Sequence, residues 1–128
     1  MSHITILDQF VHAVENGDEQ KLRELYHPDA KIWHNDGMGD QDIEANLEIL
    51  RLMHANIAGL AYDVRRQSET TDGVYQQHLV RGTLPNGSPV DIDACIFMAI
   101  EDGKIVRIEE FFDASRVQQV LSAVTSQD

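Results

Sequence analysis

The stretch EDGKIVRIEEFFD, residues 101–113, contains a turn followed by a strand. The dipeptide Asp102-Gly103 favours a tight turn because both residues tolerate positive φ. Successive side chains of a strand point to opposite faces of a sheet. One face therefore carries Val106, Ile108, Glu110 and Phe112. Since this face is three-quarters apolar, we expect it to cover the protein interior, with Glu110 as its charged group.

The same pattern extends upstream through the second half of the chain. From residue 60 the chain favours β-branched and aromatic residues, and it is interrupted by Asp72-Gly73 and Asn86-Gly87. The simplest interpretation is a set of antiparallel strands near residues 60–70, 74–84, 89–100 and 104–112. A short C-terminal helix is expected around residues 114–123.

The first half of the chain has helical patterning instead. Apolar residues recur at helical spacing over residues 4–15, and Asn16-Gly17 is a typical C-terminal stop. Asp18 predicts the N-cap of a short second helix that Pro28 terminates, and residues 30–34 look extended. A longer third helix is expected to begin at Asp40 or Asp42 and to end near Gly59. Helices followed by strands indicate an α+β fold with the helices on one face of the sheet.

Composition limits the function classes. The 128 residues, 42% hydrophobic and 25% charged, predict one globular domain over residues 1–128. The net charge of −12 argues against nucleic acid and anionic membranes as partners. No apolar run is long enough to span a bilayer, and the N-terminus does not resemble a signal peptide, so we expect a cytoplasmic protein. The single cysteine, Cys95, excludes a disulfide within one chain and is expected to be buried.

Metal binding is not expected. The six histidines are scattered, without HxH or HExxH spacing. We therefore predict no metal site, and we separately expect the protein to use no cofactor.

Two segments resemble a known superfamily. ENGDEQKLRELYHPDAKIWH (residues 15–34) and EDGKIVRIEEFFD resemble the nuclear-transport-factor-two-like superfamily, which includes ketosteroid isomerases, limonene-epoxide hydrolases and SnoaL-like polyketide cyclases. The resemblance covers about residues 4–115. It implies a cone-shaped α+β barrel of the cystatin-like type, in which a strongly curved antiparallel sheet wraps around the N-terminal helices and leaves a deep cavity. It also implies a homodimer formed through the outer face of the sheet.

The ketosteroid isomerase mechanism does not fit the residues present. Members with that activity use a carboxylate base, a tyrosine and a protonated carboxylic acid. The resemblance places His34, Phe10 and Ile96 at these positions. Phenylalanine and isoleucine cannot donate a hydrogen bond, and losing one oxyanion-hole donor typically costs about 2.7–4 kcal/mol. Steroid isomerisation is therefore not expected.

The epoxide hydrolase pattern fits in part. Those enzymes position a water with a tyrosine, an asparagine and an aspartate, whose places correspond to Trp33, Asn35 and Glu110. His78 and Val80 replace an arginine and a second aspartate. Val80 cannot protonate an epoxide oxygen, so His78 as imidazolium would be the remaining acid. A SnoaL-like cyclase requires less, namely a carboxylate or histidine base in an apolar cavity, and Glu110 with His78 would meet that requirement.

Glu110 and His78 are the main candidate catalytic residues. Burial among apolar neighbours is expected to raise the pKa of Glu110 and to suit it to acid–base catalysis. The alternative is a structural ion pair with Arg81 or Arg66. His78 next to Glu110 would form a carboxylate–imidazole pair; otherwise it faces solvent or bonds a backbone carbonyl in the core.

Asn35 is the third candidate catalytic residue. Trp33 and Asn35 alternate with His34 and should share a face, with Trp33 as a pocket wall or a core plug and Asn35 as a hydrogen-bonding group near the mouth. His34 would point away unless the strand bulges. The remaining predicted pocket-lining residues are Tyr26, His54, Ile96, Met98, Phe10 and Phe112.

The outer surface of the sheet is predicted to carry Asp91, Asp93, Cys95 and Phe97, which would lie in a dimer interface or meet solvent. We expect a cofactor-independent acid–base enzyme, such as an isomerase, a cyclase or an epoxide hydrolase, that acts on a small hydrophobic molecule. Glu110 would be its base, His78 the partner of that base, and Asn35 the group that orients water or a carbonyl. The alternative is a non-catalytic protein that binds a ligand in the same cavity.

Overall fold

The computed structural model describes residues 2–125, which form four helices and six strands. The helices are α1 (His3–Asn16), α2 (Glu19–Leu25), α3 (Ile43–Asn56) and α4 (Ala114–Thr125). The strands are β1 (Tyr26–His34), β2 (Asp40–Gln41), β3 (Ala58–Glu69), β4 (Gly73–Thr83), β5 (Pro89–Glu101) and β6 (Lys104–Phe112). The predicted α+β class is confirmed.

The sheet has the order β2-β1-β6-β5-β4-β3. The four long strands agree with the predicted ones within two residues at each end, and their neighbours pair antiparallel. Two features differ from the prediction. β1 begins at Tyr26 rather than near residue 30 and pairs parallel with β6, and β2 is a short additional strand at the edge.

Side chains of the loops define where the helices begin and end. Ser2, Asp18 and Asp42 accept hydrogen bonds from the backbone N–H groups of α1, α2 and α3 respectively, which satisfies donors that the first helical turn leaves free. Asp42, not Asp40, therefore caps α3. Gly17 ends α1 with φ of 65°, a left-handed conformation that glycine adopts without steric cost.

Irregular pairing accompanies the curvature of the sheet. The register shifts within β3, within β5 and between β1 and β6. Such bulges bend a strand and increase its twist. The concave face packs on α1 and α3, so the core lies between the helices and the sheet, as the cone-shaped fold requires.

The outer face of the sheet remains accessible. Asp91, Asp93 and Cys95 are exposed on β5, whereas their neighbours on the opposite face of that strand are buried. The predicted facing of β5 is thus confirmed, but the expectation that Cys95 is buried is wrong, because the odd-numbered residues of β5 point outward. None of the helices in residues 2–125 combines the length and apolar character required to cross a membrane. The cytoplasmic location stays a prediction.

Candidate functional site

A cavity of about 110 Å³ lies between the concave face of the sheet and helices α1, α3 and α4. Its walls are mainly apolar. They include Phe10 of α1, Met53 of α3, Ile96 of β5, Ile108 of β6, Phe112 of β6 and Val120 of α4. Phe10, Ile96 and Phe112 therefore lie where the sequence analysis predicted them. Such a cavity suits a small and largely hydrophobic molecule.

Strand register brings a polar cluster into this apolar cavity. His34 of β1 pairs with Glu110 of β6, and Glu110 pairs in turn with Ile96 of β5. His78 of β4 pairs with Ala94, which lies two residues before Ile96 on the same face of β5. Paired residues on neighbouring strands point to the same face of a sheet, so His34, Glu110 and His78 all point into the cavity.

The Glu110 carboxylate lies between two imidazoles. Its Oε1 is 3.4 Å from Nε2 of His34, and its Oε2 is 3.5 Å from Nε2 of His78. Glu110 does not form the alternative ion pair with Arg81 or Arg66. Arg81 contacts Asp63 instead, and Arg66 donates a hydrogen bond to Gln77. Glu110 and His78 are thus brought together as predicted, whereas their catalytic role stays a prediction.

The pKa of Glu110 is lowered, not raised. Burial alone would raise the pKa of this carboxyl group, as the sequence analysis expected. The nearby ring nitrogens of His34 and His78, and the positive charge that these imidazoles carry when protonated, outweigh burial and lower the pKa to about 2. The expectation of a raised pKa is therefore wrong. At neutral pH Glu110 is a carboxylate, able to orient an imidazole and to stabilise an imidazolium.

His78 is held from its other side by an amide. The residue is 1% exposed, and its Nδ1 lies 3.0 Å from Nε2 of Gln76, which is equally buried. Its Nε2 has no hydrogen-bond partner at normal length. His78 is thus neither solvent-facing nor bonded to a backbone carbonyl, the two alternatives to an active role.

Tyr62 of β3 adds a phenol to the cavity lining, and sequence analysis missed it. Its ring packs against His78 with centroids 4.8 Å apart. Burial, together with the negative charge of Glu110, raises the pKa of the Tyr62 hydroxyl, so it stays a neutral hydrogen-bond donor. The signal in the sequence was weak, because a tyrosine in a strand is ordinary.

Trp33 and Asn35 do not line the cavity. The Trp33 ring packs edge-on against Phe111 on the outer face, with centroids 5.0 Å apart. Asn35 is exposed, and its amide exchanges two 3.1 Å hydrogen bonds with the backbone of Phe112. The predicted face of this strand is therefore wrong, and so is the placement of Asn35 as a site residue. His34, which was expected to point away, occupies the site instead.

Three further predicted pocket-lining residues lie elsewhere. Tyr26 is buried in the core, where its hydroxyl donates to Oδ1 of Asn46 over 2.7 Å. His54 is exposed on α3 and covers Gly17, because it lies on the side of that helix away from the cavity. Met98 is fully buried among core side chains and does not reach the cavity.

Solved structures with the same fold include proteins described with different activities. IdmH from Streptomyces antibioticus, provisionally described as a polyketide cyclase, is 23% identical, with a TM-score of 0.81 over 95% of this chain and 99% of IdmH. An epoxide hydrolase of M. tuberculosis, described as LEH-like, is 17% identical, with a TM-score of 0.74 over 97% of this chain and 92% of that one. These likenesses show the fold, whereas the activities belong to those proteins.

A third solved structure and a family model complete the comparison. A protein with a ketosteroid isomerase-like fold from Catenulispora acidiphila is 13% identical, with a TM-score of 0.75 over 93% of this chain and 91% of that one. No curated protein shows significant sequence similarity to this chain. The family model for the SnoaL-like domain matches residues 7–108. Since this match spans most of the sequence, the chain belongs to the SnoaL-like domain family, as its two marker segments predicted.

Proposed function

We propose that this protein is a cofactor-independent enzyme that transfers protons on a small hydrophobic carbonyl compound. The observation that carries the proposal is the Glu110 carboxylate held between His34 and His78 in an otherwise apolar cavity. Carboxylate–imidazole clusters of this kind, at the wall of a cavity, are typical of acid–base sites.

His34 is the proposed general base. Efficient proton transfer requires a base whose pKa lies near the working pH, and the lowered pKa of Glu110 makes that carboxylate a weak base. Histidine is the side chain most often used for general acid–base catalysis. Glu110 would orient His34 and stabilise the imidazolium that forms when His34 takes the proton, in place of the base role first expected for Glu110.

Tyr62 is the proposed hydrogen-bond donor to the carbonyl oxygen of the substrate. His34 would remove a proton from the carbon next to a carbonyl group, and the electron pair of that C–H bond would move to the carbonyl oxygen. The Tyr62 hydroxyl would donate to the resulting enolate oxygen. The enolate would then regain a proton at another carbon, which is an isomerisation, or attack a second carbonyl, which is an aldol-type closure.

A generic proton-abstraction probe tests this proposal without knowledge of the substrate. 5-Nitrobenzisoxazole loses its C3 proton to a base, its N–O bond breaks, and the coloured 2-cyano-4-nitrophenolate forms. A base positioned in an apolar cavity is expected to accelerate this reaction by at least 100-fold over buffer. His34→Gln is expected to lose most of the acceleration, and Glu110→Gln about as much, since both groups act as one unit.

His12→Gln is the matched control, because His12 is exposed on α1 and lies outside the cavity. This variant should keep the wild-type rate. A wild-type rate in His34→Gln would remove His34 from the mechanism. Binding of the probe without any acceleration would support the alternative function, a non-catalytic protein that holds a hydrophobic ligand in the cavity.

A further inference from the structure

We propose that Asp8 and Gln67, two residues outside the cavity lining, fix the tautomer of His78 through Gln76. In this tautomer His78 is neutral, carries its proton on Nε2 and directs it toward Glu110. Asp8 and Gln67 are thus positioning residues, and their catalytic significance rests on the proposed function of the site. The tautomer itself is a property of the resting protein.

The series of hydrogen bonds that leads to His78 starts at Asp8, whose carboxylate can act only as an acceptor. The Asp8 carboxylate, on the exposed side of α1, can only accept hydrogen bonds when ionised. The Gln67 side-chain atom that lies 2.7 Å from Oδ1 of Asp8 must therefore be the amide nitrogen. With oxygen in that place, two acceptors would face each other at contact distance.

The same nitrogen of Gln67 determines the orientation of Gln76. Gln67 and Gln76 are directly paired on β3 and β4, and Nε2 of Gln67 also lies 2.9 Å from Oε1 of Gln76. Since an NH₂ group can only donate, Gln76 must present its oxygen to Gln67. The amide nitrogen of Gln76 is then the end that faces His78, two residues further along the same face of β4.

The orientation of the Gln76 amide is compatible with only one neutral tautomer of His78. Its Nδ1 faces an obligate donor at 3.0 Å, so Nδ1 must accept and carries no proton. The proton of a neutral ring is then on Nε2, which is buried without a hydrogen-bond partner and lies 3.5 Å from Oε2 of Glu110. A hydrogen bond to the other ring nitrogen commonly fixes which nitrogen of a histidine is protonated.

This assignment separates the roles of the two histidines in the site. His78 cannot act as a base through Nδ1, because that lone pair is occupied by Gln76. It can only offer its Nε2 proton to Glu110 or to a ligand oxygen. His34, on the opposite side of the carboxylate, remains the imidazole available to accept a proton.

Two-bond ¹H–¹⁵N correlation spectra of the histidine rings test the proposal directly, because they distinguish both neutral tautomers and the imidazolium. The His78 signals are assigned by their loss in His78→Gln, and the spectra are recorded near pH 8. The wild-type protein is expected to show His78 with Nε2 protonated and Nδ1 free. A protonated Nδ1 in the wild type would overturn the proposal.

A double variant is designed to reverse the donor and acceptor roles along the hydrogen bonds from residue 8 to His78. It keeps the size of both side chains and the net charge of the protein. In Asp8→Asn/Gln67→Glu the carboxylate at residue 67 accepts from both neighbours, so Gln76 must turn its NH₂ toward residue 67 and its oxygen toward His78. Nδ1 of His78 is then expected to become protonated, in at least nine-tenths of the molecules. An Nδ1 that stays free in a folded double variant would contradict the proposal.

Asp8→Asn alone tests whether Asp8 fixes the tautomer. An asparagine at position 8 can present either its carbonyl oxygen or its NH₂ group to Gln67, so the reversed hydrogen-bond network is no longer excluded, and part of His78 is expected to carry its proton on Nδ1. His12→Gln, an exposed change elsewhere on α1, is the matched control and should keep the wild-type tautomer. A fully Nε2-protonated His78 in Asp8→Asn would show that Asp8 does not fix the tautomer and would overturn the proposal. These spectra need no substrate, so a missing turnover of 5-nitrobenzisoxazole would refute the proposed function while leaving the tautomer result intact.

Discussion

At the scale of single residues, Glu110 is expected to affect both the stability of the fold and the proposed function. Within residues 2–125, the groups that stabilise its carboxylate in the mostly apolar cavity are the two imidazoles beside it. Burial of a charge is costly unless it is paired, so removal of either partner leaves the other uncompensated. The site therefore stabilises the fold only while Glu110 is ionised and both imidazoles are in place beside it.

The lowered pKa of Glu110 predicts a pH dependence of stability. The folded-state pKa lies below the ordinary value near 4.5, so ionised Glu110 contributes stability that is fully present above that value and is lost as pH falls toward about 2. The contribution is at most about 3 kcal/mol. Urea unfolding, followed by the fluorescence of Trp33, should show a steeper loss of stability between pH 5 and pH 3 in the wild type than in Glu110→Gln.

The matched control is Glu101→Gln, which changes an exposed carboxylate at the end of β5. This variant should follow the wild-type curve within about 0.5 kcal/mol. Parallel curves for the wild type and Glu110→Gln would mean that the imidazoles do not stabilise the charged carboxylate in the folded state.

Residue-level inference from the sequence succeeded for β4, β5 and the second half of β6 and failed for β1. It also failed at the start of β6, where a register shift makes Ile105, rather than the predicted Val106, the fully buried residue. Alternation identified the inner faces that carry His78 and Glu110, because these strands are long and have a clear apolar phase. In β1 the alternation was assigned to the wrong faces, so Trp33 and Asn35 were predicted to face the cavity. Lys31, exposed and in phase with Trp33, was the available signal, since a lysine on an inner face would be costly.

At the scale of elements, local signals predicted the helices and long strands, whereas the pairing of β1 was not predicted. Caps and turn dipeptides act within a few residues and can be identified from the sequence. The parallel pairing of β1 with β6 joins residues more than 70 positions apart, and it is this pairing that places His34 beside Glu110. No local pattern contains such long-range information, so the site could be predicted only in part.

The α3 cap offers a prediction at this scale. The Asp42 side chain accepts from the backbone N–H of Ala45 at 2.9 Å. Asp42→Ala removes this acceptor and is expected to lower the free energy of unfolding by about 1 kcal/mol. Urea unfolding at pH 7 measures the effect.

Glu48→Ala is the control for this variant, because Glu48 is an exposed carboxylate in the interior of the same helix. Alanine is the best helix former, so the control should change stability by less than about 0.5 kcal/mol. Equal losses in the two variants would show that helix propensity or charge, rather than the cap, explains the effect of Asp42→Ala.

At the scale of the whole molecule, the two faces of the sheet differ in composition. The inner face builds the cavity, and the outer face carries an aromatic patch, which we define as Trp33, Tyr75, Phe97 and Phe111. Tyr75 pairs with Phe97 across β4 and β5, with ring centroids 4.7 Å apart, and Phe111 adjoins Trp33. Tyr75 and Phe111 are 47% and 53% exposed. Glu109 is paired with both Trp33 and Phe97, so the aromatic patch consists of two aromatic pairs with a charged residue between them. We expect an interaction surface of the sheet to include such exposed aromatic side chains.

A homodimer through this aromatic patch remains the predicted partner arrangement, and its test is the oligomeric state in solution. Tyr75→Lys/Phe111→Lys is expected to raise the dissociation constant of the dimer at least 100-fold, because it buries uncompensated charges in the interface. Light scattering after size-exclusion chromatography measures the change. Met38→Lys alters an even more exposed apolar residue in the loop before β2 and should leave the dimer intact.

The net charge predicts how the dimer responds to salt. Each copy carries a charge of −12, so two copies repel each other at long range, and salt screens that repulsion within a Debye length of about 10 Å at 0.1 M. The dissociation constant is therefore expected to fall as NaCl rises from 50 to 500 mM. The opposite trend would indicate that opposite charges hold the interface together. A monomeric wild type at every salt concentration would exclude the aromatic patch as a dimer surface.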